Sequence, residues 1–197
     1  MHTNRATMDK EYWDKRWMNG ETGWDMGGVS TPLKEYIDQL GNKHLRILIP
    51  GCGNAWEAQY LWENGFTQTT VVDISNGAVE SFSQRFNQFP AAQIICGDFF
   101  GLNGKFDLIL EQTFFCALNP SQRPEYVSKC SDLLVKGGTV AGVLFDFPLD
   151  DGPPFGGDIK EYRKLFTQKF QIDILERCRN SIKPREGREF FFRLTNL

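Results

Sequence analysis

The sequence predicts one α/β domain built on a seven-stranded, mostly parallel sheet with helices on both faces. Three observations lead there. The 197 residues are the size of one large domain, enough to bury a substantial core. Short β-branched apolar runs alternate with helical stretches along the body of the chain, the rhythm of strands joined by crossover helices. The first of these runs leads straight into a glycine-rich turn, Pro50-Gly51-Cys52-Gly53, that opens a helix.

Taken in order, strands are expected at Leu45–Pro50, Thr70–Asp73, Gln93–Cys96, Phe106–Leu110, Thr139–Phe145, Phe170–Glu176 and Glu189–Leu194. Helices fit Thr31–Gln39, Ala55–Asn64, Asn76–Phe86, Arg123–Leu134 and Ile159–Phe166, where apolar residues recur by threes and fours. Pro124 falls in a first helical turn, which tolerates proline, and Gly65 and Gly137 stand where helices commonly stop. The stretch from Phe147 to Asp158 carries three prolines and three glycines and reads as a loop. Residues 1–28 stand outside the rhythm, with Tyr12, Trp13, Trp17 and Trp24 set among charges and glycines. They are expected to form an appended segment, with the domain proper in residues 29–197.

Bulk composition narrows the partners. Net charge is −3 with scattered basic residues, which is no footprint for a phosphate backbone or an anionic membrane. Hydrophobic residues make up 41% and charged residues 24%, the balance of a chain that folds unaided. The cysteines Cys52, Cys96, Cys116, Cys130 and Cys178 are odd in number and lack a CxxC pair, so neither a disulfide framework nor a metal site is expected. The start of the chain is polar and charged, and no apolar run approaches the ~20 residues of a membrane span. A cytoplasmic monomer or weak dimer acting on a small molecule is the expectation.

The glycine turn lets a ligand approach the backbone without meeting a Cβ. Its third fingerprint position holds Trp56 instead of glycine, which suits a ligand without a pyrophosphate; the alternative is a pair of ordinary turn glycines. Asp73 ends the second strand about twenty residues beyond Gly51, the place from which a carboxylate meets ribose hydroxyls in Rossmann-like folds. It could otherwise cap the helix that follows. Asp98 and Phe99 follow the third strand and offer an edge and a face to an adenine; the plain alternative is a loop acid beside a core ring. Gln112, Phe114 and Phe115 follow the fourth strand, where a substrate meets a cofactor in such sheets, although the aromatic pair could equally be core. Trp13 and Trp17 share a helical face and, with Trp24, supply aromatic surfaces for a cation or simply pack a terminal helix.

Together these residues resemble the thiopurine methyltransferase superfamily of class I S-adenosylmethionine-dependent methyltransferases, in its thiol and halide methyltransferase branch. The likeness runs from Tyr12 over nearly the whole chain. It rests on Trp13-x3-Trp17-x6-Trp24, Ile49-Pro-Gly51-Cys-Gly53, Val72-Asp73-Ile-Ser75, Phe106-Asp-Leu-Ile, Phe114-Phe-Cys-Ala-Leu-Asn-Pro120 and Gly152-Pro-Pro-Phe155. The resemblance implies that Trp13, Trp17 and Trp24 close over the cofactor, that Gly51 and Gly53 pass beneath it and that Asp73 holds its ribose. It further implies Asp98 and Phe99 at the adenine, Gln112 near the methyl donor, and Phe114, Phe115, Pro153 and Phe155 beside the acceptor. Many plant members carry an aromatic residue where this chain has Gln112, which counts against halide as the preferred acceptor.

The implied reaction moves the methyl group of S-adenosylmethionine to a small nucleophile, leaving S-adenosylhomocysteine. A thiol is expected, thiopurine-like or aliphatic, with halide or sulfide behind it. Thiols titrate near pH ~8.5, so no strong general base is required. In agreement, the histidines are His2, near the start of the chain, and His44, ahead of the first strand, and no residue is assigned to catalysis. Two rivals stay open: a nicotinamide-dependent reductase, which shares the glycine turn and the strand-end acid, and an idle adenosylmethionine-binding interaction module.

Overall fold

The computed structural model describes residues 8–150 and 152–197; His2 lies outside them. All seven expected strands are present: β1 (Ile47–Pro50), β2 (Thr69–Asp73), β3 (Ile94–Cys96), β4 (Phe106–Gln112), β5 (Leu134–Phe145), β6 (Phe170–Arg177) and β7 (Glu189–Asn196). They form one sheet in the order β3-β2-β1-β4-β5-β7-β6. The first five run parallel, and β7 lies antiparallel between β5 and β6. Reversing β7 lets the chain finish next to β5 with no further crossover helix.

The helices are α1 (Lys10–Met18), α2 (Thr31–Asp38), α3 (Trp56–Glu63), α4 (Asn76–Arg85), α5 (Arg123–Leu133) and α6 (Ile159–Phe166). Strand residues alternate between two cores, as a period of two dictates. Leu48, Ile109 and Val140 pack with Tyr126 of α5 and Phe166 of α6. Ile47, Ile49, Leu108 and Ala141 pack on the opposite face with Leu33 of α2, Leu61 of α3 and Phe82 of α4. Burial of these strands on both faces is why they read as continuous apolar runs.

Two elements differ from expectation. Helix α1 is a regular element inside the appended segment; Asp9 caps it by accepting from the Tyr12 amide at 3.0 Å, yet it buries none of its own residues. Strand β5 begins at Leu134, five residues before the predicted Thr139. Phe106 pairs with Leu134 and Leu108 with Thr139, so residues 135–138 bulge out of the ladder. Gly137, expected as a helix stop, supplies the positive φ (+75°) that this bulge needs.

Candidate active site

The C-terminal ends of the parallel strands open on one edge of the sheet, and a cavity of about 810 Å³ lies over them. This is the crevice where ligands bind in sheets whose strand order reverses, here on either side of β1. Gly51 and Gly53, in the turn after β1, lie in its floor with φ near +56° and +52°. A Cβ on Gly51 would sit 2.2 Å from Cδ2 of Phe114, so the turn and the aromatic wall after β4 touch only because this residue is glycine.

Asp73 ends β2 at the cavity wall. One carboxylate oxygen accepts from the Gly53 amide and the other from the Ser75 amide, both at 2.9 Å. Each oxygen keeps a second lone pair, the number a vicinal diol requires. Ser75, not Asp73, caps α4 by accepting from the Ala78 amide at 3.4 Å, so the helix-capping alternative falls away. Burial raises the Asp73 carboxyl above its ordinary value, against the pull of those two backbone amides. Asp98 also faces the cavity; one oxygen accepts from the Phe100 amide at 2.9 Å, and Phe99, 3% exposed, borders the same space.

Trp13, Trp17 and Trp24 form one aromatic cluster on the cavity, with Trp24 edge-on to Trp13 at 5.6 Å and to Trp17 at 6.3 Å. Specific contacts hold the segment there. Asp14 accepts from the Ser75 hydroxyl at 2.8 Å and from the Asn76 amide at 2.9 Å at the N-terminus of α4. Desolvation opposes its charge, but these bonds and one from Lys10 hold its carboxyl below the ordinary value. Gly77 permits the approach, since a Cβ there would lie 2.8 Å from Trp17 Cβ. Asp25 accepts from the Trp56 indole at 2.7 Å and from the Asn54 amide side chain. The tryptophan at the third fingerprint position therefore anchors the appended segment.

The end of β4 departs in part from the expected site. Phe114 and Pro153 border the cavity. Phe115 is instead 1% exposed, packed among Tyr126, Tyr162 and Phe166, and Phe155 is 6% exposed; neither reaches the cavity, because apolar burial draws both inward. Gln112 does not border it either. Its Oε1 accepts from the Ser30 hydroxyl at 3.1 Å, and it lines a small hollow of about 50 Å³ next door, shared with Trp24, Gly51 and Thr113.

Sequence reasoning passed over Glu111, which shapes this wall. It is fully buried, and one oxygen accepts from both the Phe114 and Phe115 amides at 2.7 Å, holding a turn in which Thr113 adopts φ +61°. Burial pushes its carboxyl up to about 7, against those hydrogen bonds and the charge of Arg185; Glu189 adds to the rise. A folded value above the ordinary 4.5 means that the protonated carboxyl favours the fold below 4.5 and that this contribution is lost as pH climbs through about 7. The full swing is of the order of 3 kcal/mol. Melting curves of wild type and Glu111→Gln should diverge, the wild type losing stability relative to the variant between about pH 5 and about pH 8. A difference that stays constant across that range rejects this titration.

Arg16, Arg185 and Arg188 also border the cavity and were not foreseen. Arg185 donates to the Trp24 carbonyl at 2.9 Å across 161 residues of sequence and pairs with Glu189 at 3.4 Å. Only the sheet order, with β7 beside β5, brings that segment to the site, and no local pattern signals it.

A glycine turn under an aromatic cluster, a strand-end carboxylate with two lone pairs to spare, and a cavity of nucleoside size define a class I S-adenosylmethionine-dependent methyltransferase. The sequence profile of the thiopurine S-methyltransferase family matches residues 8–193, and the chain belongs to that family. It is 33% identical over 187 residues to a protein described as probable thiol methyltransferase 2 of Arabidopsis thaliana, covering 90% of this chain and 81% of that one. It is 26% identical over 195 residues to a thiopurine S-methyltransferase of Acinetobacter baylyi, covering 86% and 88%. Among solved structures, the fold matches the 1,6-didemethyltoxoflavin-N1-methyltransferase of Burkholderia thailandensis, bound to 1,6-didemethyltoxoflavin and S-adenosylhomocysteine. That match has a TM-score of 0.77 and 16% identity and covers 95% of this chain and 86% of that one. S-adenosylmethionine is thus the cofactor, and the nicotinamide-reductase and idle-binder readings have no support. Among the described residues no helix is long and apolar enough to cross a membrane.

Proposed function

We propose that this chain methylates thiols. The observation that carries the reading is the make-up of the cavity: among the described residues bordering it there is no histidine, lysine or tyrosine, and its carboxylates are Asp73 and Asp98, after β2 and β3, and Asp9, whose side chain caps α1. Cys116, which borders the wall after β4, has its thiol pushed well up by burial and cannot serve as a base. An alcohol acceptor, or an amine arriving as its ammonium ion, would need a proton removed for it. A thiol near pH ~8.5 arrives in part already ionised.

When bound, the cofactor supplies an electrophilic methyl group on a positively charged sulfur. The chain's own part is to bind, orient and exclude water. Asp73 takes the ribose hydroxyls on its free lone pairs, Asp98 the adenine amino group, and Phe99 covers the ring. Gly51 and Gly53 form the floor; Trp13, Trp17 and Trp24 turn aromatic faces to the cation and keep water from it. Phe114 and Pro153 wall the acceptor, while Gln112, held by the Ser30 hydroxyl, stays outside the cavity. Residues 1–28 form the lid and 29–197 the catalytic domain.

Incubation with methyl-labelled S-adenosylmethionine and a panel of aliphatic thiols, heterocyclic thiols, sulfide and iodide tests the proposal. Label should pass to the thiols fastest, with iodide well behind. Labelling of iodide in preference to every thiol refutes it.

A further inference from the structure

The wall after β4 holds two costly features side by side. Glu111 is a fully buried carboxylic acid, and its hydrogen bonds among the described residues go only to the Phe114 and Phe115 amides, both on one oxygen; the other oxygen has no partner. Thr113 keeps φ at +61°, a left-handed backbone that β-branched residues avoid. Burial of a half-satisfied carboxyl and a strained dihedral each cost free energy, and such costs gather where a site needs an exact shape. Here the two belong together. Phe114 bonds back to a residue only three positions earlier, which takes a tight turn, and Thr113 supplies it. The base of the clamp is fixed in the sheet: Gly142 of β5 pairs with Glu111, and a Cβ there would lie 2.6 Å from Glu111 Cβ.

Both walls of the acceptor side hang on this turn. The Phe114 amide is one of the clamped pair, and its ring rests so close to Gly51 that a Cβ there would overlap it. The Cys116 carbonyl, in the single 3-10 turn Phe115–Ala117, accepts from the Phe155 amide at 2.7 Å and so ties the loop that carries Pro153 to the same place. Phe115 roots the turn in the core between Tyr126, Tyr162 and Phe166. Glu111 itself does not border the cavity. We propose that Glu111 is a positioning residue for the methyl acceptor: by clamping the Phe114 and Phe115 amides it fixes the opening between Phe114 and Pro153, and so sets the bulk of the thiol that is accepted. The inference rests on the thiol-methylation reading, with Phe114 and Pro153 as the acceptor walls.

An internal competition tests it. Thiophenol and 2-naphthalenethiol, offered together with saturating S-adenosylmethionine, are methylated in the ratio of their kcat/KM values; that ratio depends neither on how much enzyme is folded nor on how tightly the cofactor binds. Glu111→Met keeps the volume of the side chain and removes its acceptor oxygens. It should shift the ratio towards the naphthyl thiol by about fivefold or more, whereas Glu111→Gln, whose amide oxygen can accept both bonds, should stay within about twofold of the wild type. A ratio unchanged in Glu111→Met, or shifted as far in Glu111→Gln, overturns the proposal, since a loss of stability alone lowers both products equally. If Glu111→Met does not fold, Glu111→Asp replaces it. Its carboxylate is drawn back by one methylene, so the ratio should move the same way by about threefold or more, and an unmoved ratio overturns the proposal equally.

A second measurement does not depend on turnover. With S-adenosylhomocysteine bound, the affinity for 2-(methylthio)naphthalene relative to thioanisole should rise by a similar factor from wild type to Glu111→Met. An unshifted ratio overturns the clamp. A shifted ratio in an enzyme that methylates no thiol supports the clamp and refutes thiol methylation.

Discussion

Asp73→Ala is expected to weaken S-adenosylhomocysteine binding roughly ten- to a hundredfold, because charge-assisted hydrogen bonds to two hydroxyls are worth about 1.5–3 kcal/mol. The same carboxylate ties Gly53 to Ser75, so alanine also loosens the turn and should lower the melting temperature. Asp73→Asn separates the two roles. Its amide oxygen can still accept one backbone amide, whereas its amino group is a donor and cannot accept a hydroxyl. The asparagine variant should thus keep more of the stability than alanine while losing most of the affinity, as calorimetric titration and melts would read directly. Wild-type affinity in both variants would remove Asp73 from the cofactor site and leave it a purely structural clamp.

Deleting residues 1–28 should abolish methyl transfer and greatly weaken cofactor binding, yet leave a cooperatively melting domain. Helix α1 buries none of its residues, and among the described residues neither core cluster contains one before Leu33, so the deletion removes no described residue from beneath the sheet. What it removes is the tryptophan cluster with its fastenings: Asp14 on α4, Asp25 on Trp56 and Asn54, and the Trp24 carbonyl on Arg185. These are polar contacts near the surface, each worth about 0.5–3 kcal/mol, so the segment can open without unfolding the rest. Hydrogen exchange across residues 12–28 should accordingly slow when S-adenosylhomocysteine is added. Loss of the cooperative melt on truncation, or exchange equally slow with and without ligand, would make the tryptophans structural packing and the lid wrong.

The site was partly legible in the chain for a physical reason. Gly51, Gly53 and Asp73 belong to a strand–turn–helix–strand unit in which local geometry fixes where each residue falls, so spacing alone placed them. Trp13 and Trp17 share a helical face by their spacing, but that spacing left cavity and packing equally open, and it was the family likeness that put them over the cofactor. The residues after β4 were harder. Phe114 and Phe115 are adjacent and chemically identical, and only the Glu111-clamped turn sends the first to the cavity and the second to the core. Gln112 ends a strand that points at the crevice, but the Ser30 hydroxyl, 82 residues away, draws its side chain aside.

By itself, then, the sequence determined the strands, five of the six described α-helices, the glycine turn and the strand-end acids, because hydrophobic period and turn chemistry act over a few residues. It also carried the family likeness, through motifs held in order along the chain. The tertiary structure alone decided the sheet order, the docking of residues 8–28 through Asp14 and Asp25, the bulge that starts β5 early, and the arrival of Arg185 and Arg188 at the cavity. Each of these joins groups far apart in the chain, and such pairings are set by how whole elements pack on one another, which no local window contains.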